Sequence, residues 1–574
     1  MSRTLPMLAL TGAVALFGGA IAITQPFGGT ARAQDDATCA NDETGLSLPP
    51  GFCATIFADN IGHARHMVVG ADGTLYVNTW MSRYFRTPAP AGGFIVALRD
   101  TNGDGKADQA DRFGTTPRED GTGGGTGIAI WKDGLFVQVD DKIVRYAMKA
   151  GQAIPTGEPT VIVDGMPMNG DHMMKAIAID KAGNLFVNSG SPSNVCEKAN
   201  RQPGSMGKDP CDELVLQGGI WKYSAAKTNQ RFSARERFAS GIRNTGGIAF
   251  DAGGRLFAVQ HGRDQLSQSW PALYTTQQGV DLPAEELLQV NKGDSFGWPY
   301  CYYDGAQGKL VLAPEYGGDG GKAIGRCATA KGPVATFGAH FAPTGLAHYA
   351  GGQFPAVYKG GMFIAFHGSW NRAPMPQEGF NITFQPLANG KASGPAILFA
   401  DGFTGPGKAT GGATNRPTGV IAGPDGALYV SDDVQGRIWK ITYKGASNAA
   451  LTAARPVVYA QAAANAGGAT PLPEGFTSEQ VALGSRIYRG LERSGTCQGC
   501  HGPDGTGSTL GPALTGDKWL WTDGSVASLA KVIHEGVVTP KQYPTGMPAN
   551  GGSELSNADV QAVAAYVWTL SQKK

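Results

Sequence analysis

The 574-residue sequence lacks a charge excess of either sign: 48 basic residues face 47 acidic ones, for a net charge of +1. This balance excludes a polybasic nucleic-acid or membrane partner. Beyond the N-terminus no run is long and apolar enough to span a bilayer. What is abundant is glycine, at 85 residues with 35 prolines. With short apolar runs, this composition predicts many strands and tight turns in two or more domains.

The N-terminal segment has the pattern of an export signal. Arg3 precedes an uncharged apolar stretch through Ile23, and Ala31-Arg32-Ala33 places small residues where a signal peptidase cleaves. Residues 1–33 are therefore predicted to be a signal peptide, and the protein is predicted to be periplasmic. An uncleaved N-terminal anchor is the alternative.

Six of the eight cysteines form three local pairs. The pairs are Cys39 with Cys53, Cys196 with Cys211, and Cys301 with Cys327. An exported chain with closely spaced cysteines favours disulfides, and this is the simplest of fifteen pairings. Buried free thiols are the alternative.

A degenerate repeat runs through residues 40–444. A turn ending in glycine precedes a short apolar strand in Gly73–Val77, Gly183–Val187, Gly254–Ala258 and Gly426–Val430, with looser copies at Gly134 and Gly361. Most copies follow another apolar strand. Six such units predict a six-bladed β-propeller, because a sandwich would lack this spacing. Residues 445–472 hold 11 alanines and one charge, which predicts a linker.

The segment 473–574 carries the attachment motif of a c-type haem. Cys497-Gln498-Gly499-Cys500-His501 supplies two thiols for the porphyrin and an imidazole for the iron. Met547 is the predicted sixth ligand, a neutral thioether that suits electron transfer. A redox disulfide or half of a zinc site are the alternatives. Flanking helical segments predict a small all-α cytochrome c domain.

Polar residues recur just before the predicted inner strands of the propeller. They are Arg65 and His66, Asp171, His172 and Lys175, Arg243 and Asn244, and Arg416 and Thr418. Because these positions meet around the axis, the cations predict a pocket for an anionic ligand.

Several motifs resemble known enzymes. Asn169–His172, Gly241–Asn244, Gly293–Pro299 and Asn415–Pro417 are similar to motifs of the soluble aldose dehydrogenases that use pyrroloquinoline quinone (PQQ). Ser191–Cys196 and His367–Arg372 resemble more closely the sorbosone and pyranose dehydrogenase branch. The resemblance covers roughly residues 45–443, and it lies in the order of the motifs, since none is decisive alone.

The resemblance implies roles for individual residues. The PQQ carboxylates would be held by Arg65, Lys175, Arg243, Asn244, Arg372 and Arg416. His172 would be the general base, Asp171 would orient it, and Arg243 would stabilise charge on the quinone. A Ca²⁺ on the cofactor would be held by the carbonyls of Gly262 and Arg263. His261 and Thr418 depart from the glucose-oxidising pattern, where glutamine and arginine are expected.

A second calcium site is predicted in the first third of the propeller. Asp100, Asn102, Asp104, Asp108 and Asp111 offer oxygens at positions 1, 3, 5, 9 and 12 of an EF-hand-like loop, with Gly105 at position 6. An Asx-rich turn is the alternative.

Together these features predict an oxidoreductase that passes electrons from a sugar or sugar aldehyde through PQQ and haem c to an external cytochrome or quinone, with no nucleic-acid partner. A propeller haem enzyme of the nitrite reductase type, with His172 or His340 as an axial ligand, is one alternative. A non-catalytic electron-transfer or sugar-binding propeller is another.

Overall fold

The computed structural model describes residues 39, 44–81, 91–114, 123–373, 375–405, 411–445, 472–488, 497–501, 505–507, 511–516, 518–543, 546–553 and 555–572. The predicted signal peptide and nearly all of the predicted linker lie outside these residues. No described helix is long and apolar enough to cross a membrane.

The N-terminal part forms six antiparallel sheets, and the predicted six-bladed propeller is confirmed. The first strand, β1 (Phe52–Ala58), belongs to the last blade. Blade one contains β2 (Ala64–Val69), β3 (Leu75–Met81), β4 (Ile95–Arg99) and β5 (Gln109–Phe113), and β6 (Gly123–Gly124) pairs with β3. Blade two contains β7 (Ile128–Trp131), β8 (Gly134–Val139), β9 (Lys142–Ala147) and β10 (Thr160–Asp164). Blade three contains β11 (Ile177–Ile179), β12 (Asn184–Ser189), β13 (Gly219–Ser224) and the outer strand β15 (Arg237–Ser240). Between β13 and β15, the short strand β14 (Gln230–Arg231) pairs with β10 of blade two.

The remaining blades follow the same order from the axis outward. Blade four contains β16 (Ile248–Phe250), β17 (Leu256–Gln260), β18 (Glu285–Val290) and, after the hairpin β19 (Cys301–Asp304) and β20 (Lys309–Leu312), β21 (Ala335–Phe337). Blade five contains β22 (Pro343–His348), β23 (Met362–Phe366), β24 (Asn381–Gln385) and, after the hairpin β25 (Leu387–Ala388) and β26 (Lys391–Ala392), β27 (Ile397–Ala400). Blade six contains β28 (Pro417–Ala422), β29 (Leu428–Asp432) and β30 (Ile438–Tyr443). Two short helices, α1 (Leu266–Ser269) and α2 (Thr276–Asp281), lie in the β17–β18 connection.

The N-terminal strand closes the ring. β1 pairs antiparallel with β30 as the outer strand of blade six, with Phe52 opposite Tyr443. The Phe52 ring makes edge contacts with Phe354 at 4.8 Å and Phe399 at 4.9 Å between centroids. Such aromatic pairs add to the area buried, so the closure is packed as well as hydrogen-bonded.

The inner strands contact one another in an unbroken circle: β2, β7, β11, β16, β22, β28 and back to β2. Three of them carry Thr-Gly at the same place in the strand register, namely Thr126-Gly127, Thr344-Gly345 and Thr418-Gly419. A Cβ at Gly127 would lie 2.5 Å from the Lys175 carbonyl, and one at Gly419 would lie 2.5 Å from the Arg65 carbonyl. Glycine is therefore needed because the backbone of the next blade approaches too closely for a side chain.

All three predicted disulfides are present: Cys39–Cys53, Cys196–Cys211 and Cys301–Cys327. Each closes a local loop of the propeller part.

The C-terminal part is helical. It contains α3 (Ser478–Tyr488), α4 (Cys497–His501), α5 (Val526–Glu535) and α6 (Asn557–Ser571), and α6 begins with a capping box between Ser556 and Asp559. A Cβ at Gly484 would lie 1.8 Å from the Ala562 carbonyl, so α3 and α6 cross at that glycine. This unit has a hydrophobic core of its own, which includes Tyr488, Ile533 and Leu570.

We predict that Gly127→Ala destabilises the protein by about 1–3 kcal/mol, because the added methyl group would force blades two and three apart. Urea unfolding followed by circular dichroism measures the change. Gly157→Ala is the control, since nothing lies within 4 Å of a Cβ there. Equal stability of the two variants would show that the axis is not closely packed.

Candidate active site and haem site

His172 lies immediately before the inner strand of blade three. Its Nδ1 lies 2.7 Å from the Ser191 carbonyl oxygen and 3.1 Å from the Ser191 hydroxyl. Because a carbonyl can only accept, Nδ1 carries the hydrogen and Nε2 keeps the lone pair. Burial, and then the charge of Arg243, lowers the pKa of His172 well below its usual value. The imidazole is therefore neutral at neutral pH, with one nitrogen able to accept a proton.

Asp171 does not orient His172, contrary to the role that the resemblance implied. Its carboxylate accepts from Arg201 Nε at 2.9 Å and from Asn200 Nδ2 at 3.4 Å. The side chains of adjacent residues diverge here, and the backbone of Ser191 orients the imidazole instead.

Arg243 is 3% exposed, and its guanidinium donates four hydrogen bonds. Its Nε and Nη2 donate to the carbonyl and the side-chain oxygen of Asn194, each at 3.0 Å. Nη2 also donates to Asp264 Oδ2 at 2.8 Å, and Nη1 donates to the Gly262 carbonyl at 2.9 Å. The guanidinium is therefore fixed before any ligand binds.

The contacts of Gly262 and Arg263 do not fit the predicted calcium site. The Gly262 carbonyl is occupied by the Arg243 guanidinium, a cation where a second cation was expected. The Arg263 side chain is buried and forms an ion pair with Glu315 at 2.5 Å.

Asp264 connects Arg243 with Arg201, and no motif in the sequence pointed to this carboxylate. Its Oδ2 accepts from both Arg243 and Arg201, and its Oδ1 accepts from Asn371 Nδ2 at 2.6 Å. Burial alone would raise the pKa of Asp264, but Arg243 and Arg201 outweigh it and hold the pKa well below the usual range. The one available signal was its place directly after Gly262-Arg263 in the sequence.

A second charge cluster lies at the junction of blades six and one. The Asp433 carboxylate accepts from Arg65 and from His367, the latter at 2.9 Å. Arg416 donates through Nε to the His367 carbonyl at 3.0 Å and through Nη2 to the Gly368 carbonyl. The structure thus brings Arg65 and Arg416 together from opposite ends of the propeller sequence.

Lys175 has a different environment. It is fully buried, and its Nζ has no hydrogen-bond partner among the described residues. Burial lowers its pKa to about 7. In the strand register it occupies the position of threonine in three other blades and of Arg65 in blade one. A buried ammonium without a partner is costly, which indicates that an anion belongs beside it.

Arg372, also predicted to bind PQQ, donates to backbone carbonyls. Nη1 bonds Val280 at 2.9 Å and Ala339 at 3.2 Å, and Nε bonds Pro376 at 3.4 Å. In this geometry Arg372 ties loops of the mouth together.

His261 and Thr418 occupy the two positions that depart from the glucose-oxidising pattern. His261 donates from Nε2 to the Pro343 carbonyl at 2.9 Å and faces Asn244 Nδ2 with Nδ1 at 3.3 Å. Burial, and then Arg243, lowers its pKa to about 4, so it is a neutral polar group. Thr418 donates to the Arg416 carbonyl at 3.2 Å.

The unsatisfied polar atoms around the axis test whether PQQ fits. Several side-chain atoms are buried without a hydrogen-bond partner in the described chain: Lys175 Nζ, Arg65 Nε, Asn244 Oδ1, Thr245 Oγ1 and Asn371 Oδ1. Native proteins rarely leave such atoms unpaired. Both cations and polar oxygens are represented, which suits a polar polyanion.

Behind Arg243 lies a buried carboxyl network. Gln260 Oε1 accepts the Arg243 backbone N–H at 2.9 Å, and Gln260 Nε2 donates to Glu286 at 2.7 Å. Glu285, on the other face of the strand, accepts the Gly262 N–H at 2.7 Å. Burial raises the pKa of both glutamates to about 8, so both are neutral at neutral pH.

The predicted calcium loop has the hydrogen bonds of an Asx-rich turn. Asp100 accepts the N–H groups of Gly103 and Gly105, and Asp108 accepts those of Thr101 and Asn102. Among the described residues, only Cys196, Cys211 and Asp212 bring three metal-binding atoms within 4.8 Å, and those cysteines form a disulfide. No three of the carboxylates of Asp100, Asp104, Asp108 and Asp111 lie within that distance of one another, and calcium in this loop stays a prediction.

The haem motif lies at a cavity in the helical unit. Cys497 and Cys500 are thiols in α4, and both line a cavity of about 1130 Å³, including its open part, with His501, Met547, Trp519 and Leu529. His501 Nδ1 donates to the Pro512 carbonyl at 2.9 Å, which leaves Nε2 for a metal. Met547 is held by two backbone hydrogen bonds to Val537, at 2.7 and 3.0 Å. Thiols, imidazole and thioether therefore border one apolar space that suits a porphyrin.

Fold and sites together define a β-propeller with buried cations, among them Arg65, Lys175 and Arg243, around its axis, joined to a cytochrome c domain. The chain belongs to the TrAA12-like family, whose family model matches residues 46–444. Residues 479–567 match a second model, described as cytochrome c oxidase, cbb3-type, subunit III.

Related proteins agree with this division. An uncharacterised protein of Borreliella burgdorferi is 26% identical over 424 residues, 70% of this chain and 91% of its own length. The cbb3-type cytochrome c oxidase subunit FixP of Azorhizobium caulinodans is 38% identical over 76 residues. That match spans 13% of this chain and only 26% of FixP.

Two solved structures share the propeller fold. The holo PQQ domain of pyranose dehydrogenase from Coprinopsis cinerea is 17% identical with a TM-score of 0.53, covering 69% of this chain and 97% of that domain. A calcium structure of the family AA12 enzyme from Trichoderma reesei is 18% identical with a TM-score of 0.54, covering 71% and 99%. The prediction of a propeller of the PQQ sugar dehydrogenase type with a cytochrome c domain is confirmed.

We predict that Glu286→Gln changes how stability depends on pH. A carboxyl whose pKa is raised on folding stabilises fully below its unfolded pKa of about 4.3, and the contribution is lost as the pH rises towards about 8. The neutral amide removes this loss, by up to ~1.4 kcal/mol per pH unit. Urea unfolding at pH 5 and pH 8 should show that the free energy of unfolding of the variant, relative to that of the parent, is higher at pH 8 than at pH 5. The same pH dependence in both proteins would mean that Glu286 is ionised.

We predict that Met547→Ala keeps the haem covalently bound but lowers its reduction potential, because the thioether ligand that raises the potential is lost. A redox titration measures the potential, and the sulfur-to-iron charge-transfer band should disappear. Met206→Ala, an exposed methionine elsewhere, is the control. An unaltered potential and band would remove Met547 from the iron.

Proposed function

We propose that this protein is a periplasmic quinohaemoprotein dehydrogenase that oxidises a sugar or sugar aldehyde with PQQ and passes the electrons through haem c to an external acceptor. One observation carries the proposal: His172, a neutral base with an available Nε2, lies near the fixed cation Arg243, and three residues further on Lys175 is a buried ammonium for which the described residues supply no anion. The same chain carries a c-type haem site. Neither alternative function accounts for this combination.

The cations divide the work of holding PQQ. Lys175, with no partner among the described residues, and the nearby Arg65 and Arg416 would neutralise carboxylates. Arg243 already has one carboxylate, Asp264, and its rigid position suits stabilisation of the quinone oxygen. Asn244 Oδ1 supplies an acceptor. When bound, PQQ supplies a two-electron acceptor for hydride.

The residues of the chain perform the proton chemistry. His172 Nε2 accepts the proton of the substrate hydroxyl, while Nδ1 keeps its bond to the Ser191 carbonyl. The resulting imidazolium is stabilised by Asp264, whose charge acts in the opposite sense to that of Arg243. The low pKa of His172 holds the base in its neutral form over the physiological range.

No step is assigned to calcium at Gly262 and Arg263, because the Arg243 guanidinium occupies the carbonyl. Export to the periplasm is supported by the leader pattern, the disulfides and the c-type haem motif, which all suit an oxidising compartment.

We predict that the full-length protein, supplied with PQQ, oxidises aldoses or their aldehydes with an artificial acceptor, and that His172→Ala reduces kcat by ~100-fold or more through loss of the general base. PQQ binding should persist, because the carboxylates are held elsewhere. His348→Ala, at the far end of β22 from Pro343, is the control. Near-normal turnover of His172→Ala would exclude the proposed base.

We predict that substrate reduces the haem without a mediator, at a rate independent of protein concentration. Tethering gives the domains an effective concentration of roughly millimolar, so transfer is intramolecular. Stopped-flow absorbance measures the rate. The double variant Cys497→Ser/Cys500→Ser should keep turnover with a small acceptor but lose transfer to a cytochrome partner. Second-order haem reduction would contradict intramolecular transfer.

A further inference from the structure

Arg201 lies between the two halves of the candidate active site. Its Nε bonds Asp171 Oδ2 at 2.9 Å, and its Nη2 bonds Asp264 Oδ2 at 2.9 Å. Asp171 is the neighbour of the base His172, and Asp264 holds Arg243. The Arg201 guanidinium thus links the segment that carries His172 with the carboxylate that holds Arg243.

The loop around Arg201 holds it in an uncommon conformation. Its φ of 59° lies in the left-handed region, which costs a non-glycine residue free energy and calls for support. Glu197 Oε1 accepts the Arg201 N–H at 2.7 Å, and the Cys196–Cys211 disulfide closes the loop. Backbone bonds from Lys198 to Met206 and from Lys208 to Cys196 pin its two sides together.

We propose that Arg201 is a positioning residue that sets the relation between His172 and Arg243 through Asp171 and Asp264. The kinetic part of this inference rests on the proposed function, whereas the geometric part does not. A planar fork can serve two carboxylates in fixed directions, which a lysine cannot do.

The charges around His172 make its pKa depend on Arg201. The groups that face His172 are Arg243, His261, Asp264 and the Ser191 carbonyl, with Asp171 beside it in the chain. Arg201 neutralises both carboxylates of this set. Without it, the Asp264 carboxylate favours the imidazolium more strongly, so the pKa of His172 should rise.

The test compares Arg201→Gln, Arg201→Lys and the control Arg326→Gln in the full-length protein. Arg326 pairs at 2.6 Å with Asp209, which lies on the same disulfide-closed loop as Arg201, and both side chains of this pair are 47% exposed. The pH dependence of carbethoxylation of His172, followed by peptide mass mapping, gives its pKa without any turnover. Steady-state kinetics with PQQ then separate kcat from KM.

Arg201→Gln should raise the pKa of His172 and lower kcat by ~10- to 100-fold with KM nearly unchanged, the scale of misplaced catalytic groups. Arg201→Lys should recover part of kcat, and Arg326→Gln should match the parent. An unchanged His172 titration in Arg201→Gln, or the same change in Arg326→Gln, overturns the proposal. A shifted titration in a protein whose parent never oxidises sugars supports the geometric link and counts against the proposed function alone.

Discussion

The site depends on a balance of buried charge around the propeller axis. Asp264 offsets Arg243 and Arg201, and Asp433 offsets Arg65 beside Arg416. A buried charge is tolerated only when it is paired, and Lys175 is the ammonium for which the described chain supplies no partner. The fold therefore pairs Arg65, Arg201 and Arg243 with carboxylates by itself, whereas Lys175 has no partner among the described residues and would be stabilised by an anionic ligand.

The repeat explains where this charge lies. Thr-Gly at three inner strands lets adjacent backbones meet at the axis, and two of the strands that depart from this pattern place a cation there. Lys175-Ala176 replaces Thr-Gly in blade three, Arg65-His66 replaces it in blade one, and Gly246-Gly247 replaces it in blade four. Lys175 and Arg65 therefore place two cations among neutral threonine hydroxyls, and of the two only Arg65 has a carboxylate partner among the described residues.

Much of this could be predicted from local sequence. The haem ligands His501 and Met547 follow from a short motif, the disulfides from proximity, and the base His172 from its place before an inner strand. The hydrogen-bond partners could not be predicted. Arg65 pairs with Asp433, 368 residues away, and His172 is oriented by a carbonyl rather than by its acidic neighbour. Backbone carbonyls have no signature in the sequence. The hydrogen bonds that the carbonyls of Ser191, Asn194 and Gly262 accept from His172 and Arg243 could therefore not be predicted.

The most direct test of the account is titration of the full-length protein with PQQ, compared with Lys175→Met. Because the substitution removes a buried ammonium, it should stabilise the cofactor-free protein while weakening PQQ binding by ~10- to 100-fold, the scale of a lost charged hydrogen bond. One PQQ should bind per chain in the parent. Equal PQQ affinity in the two proteins would contradict the claim that the charge on the axis exists to hold the cofactor.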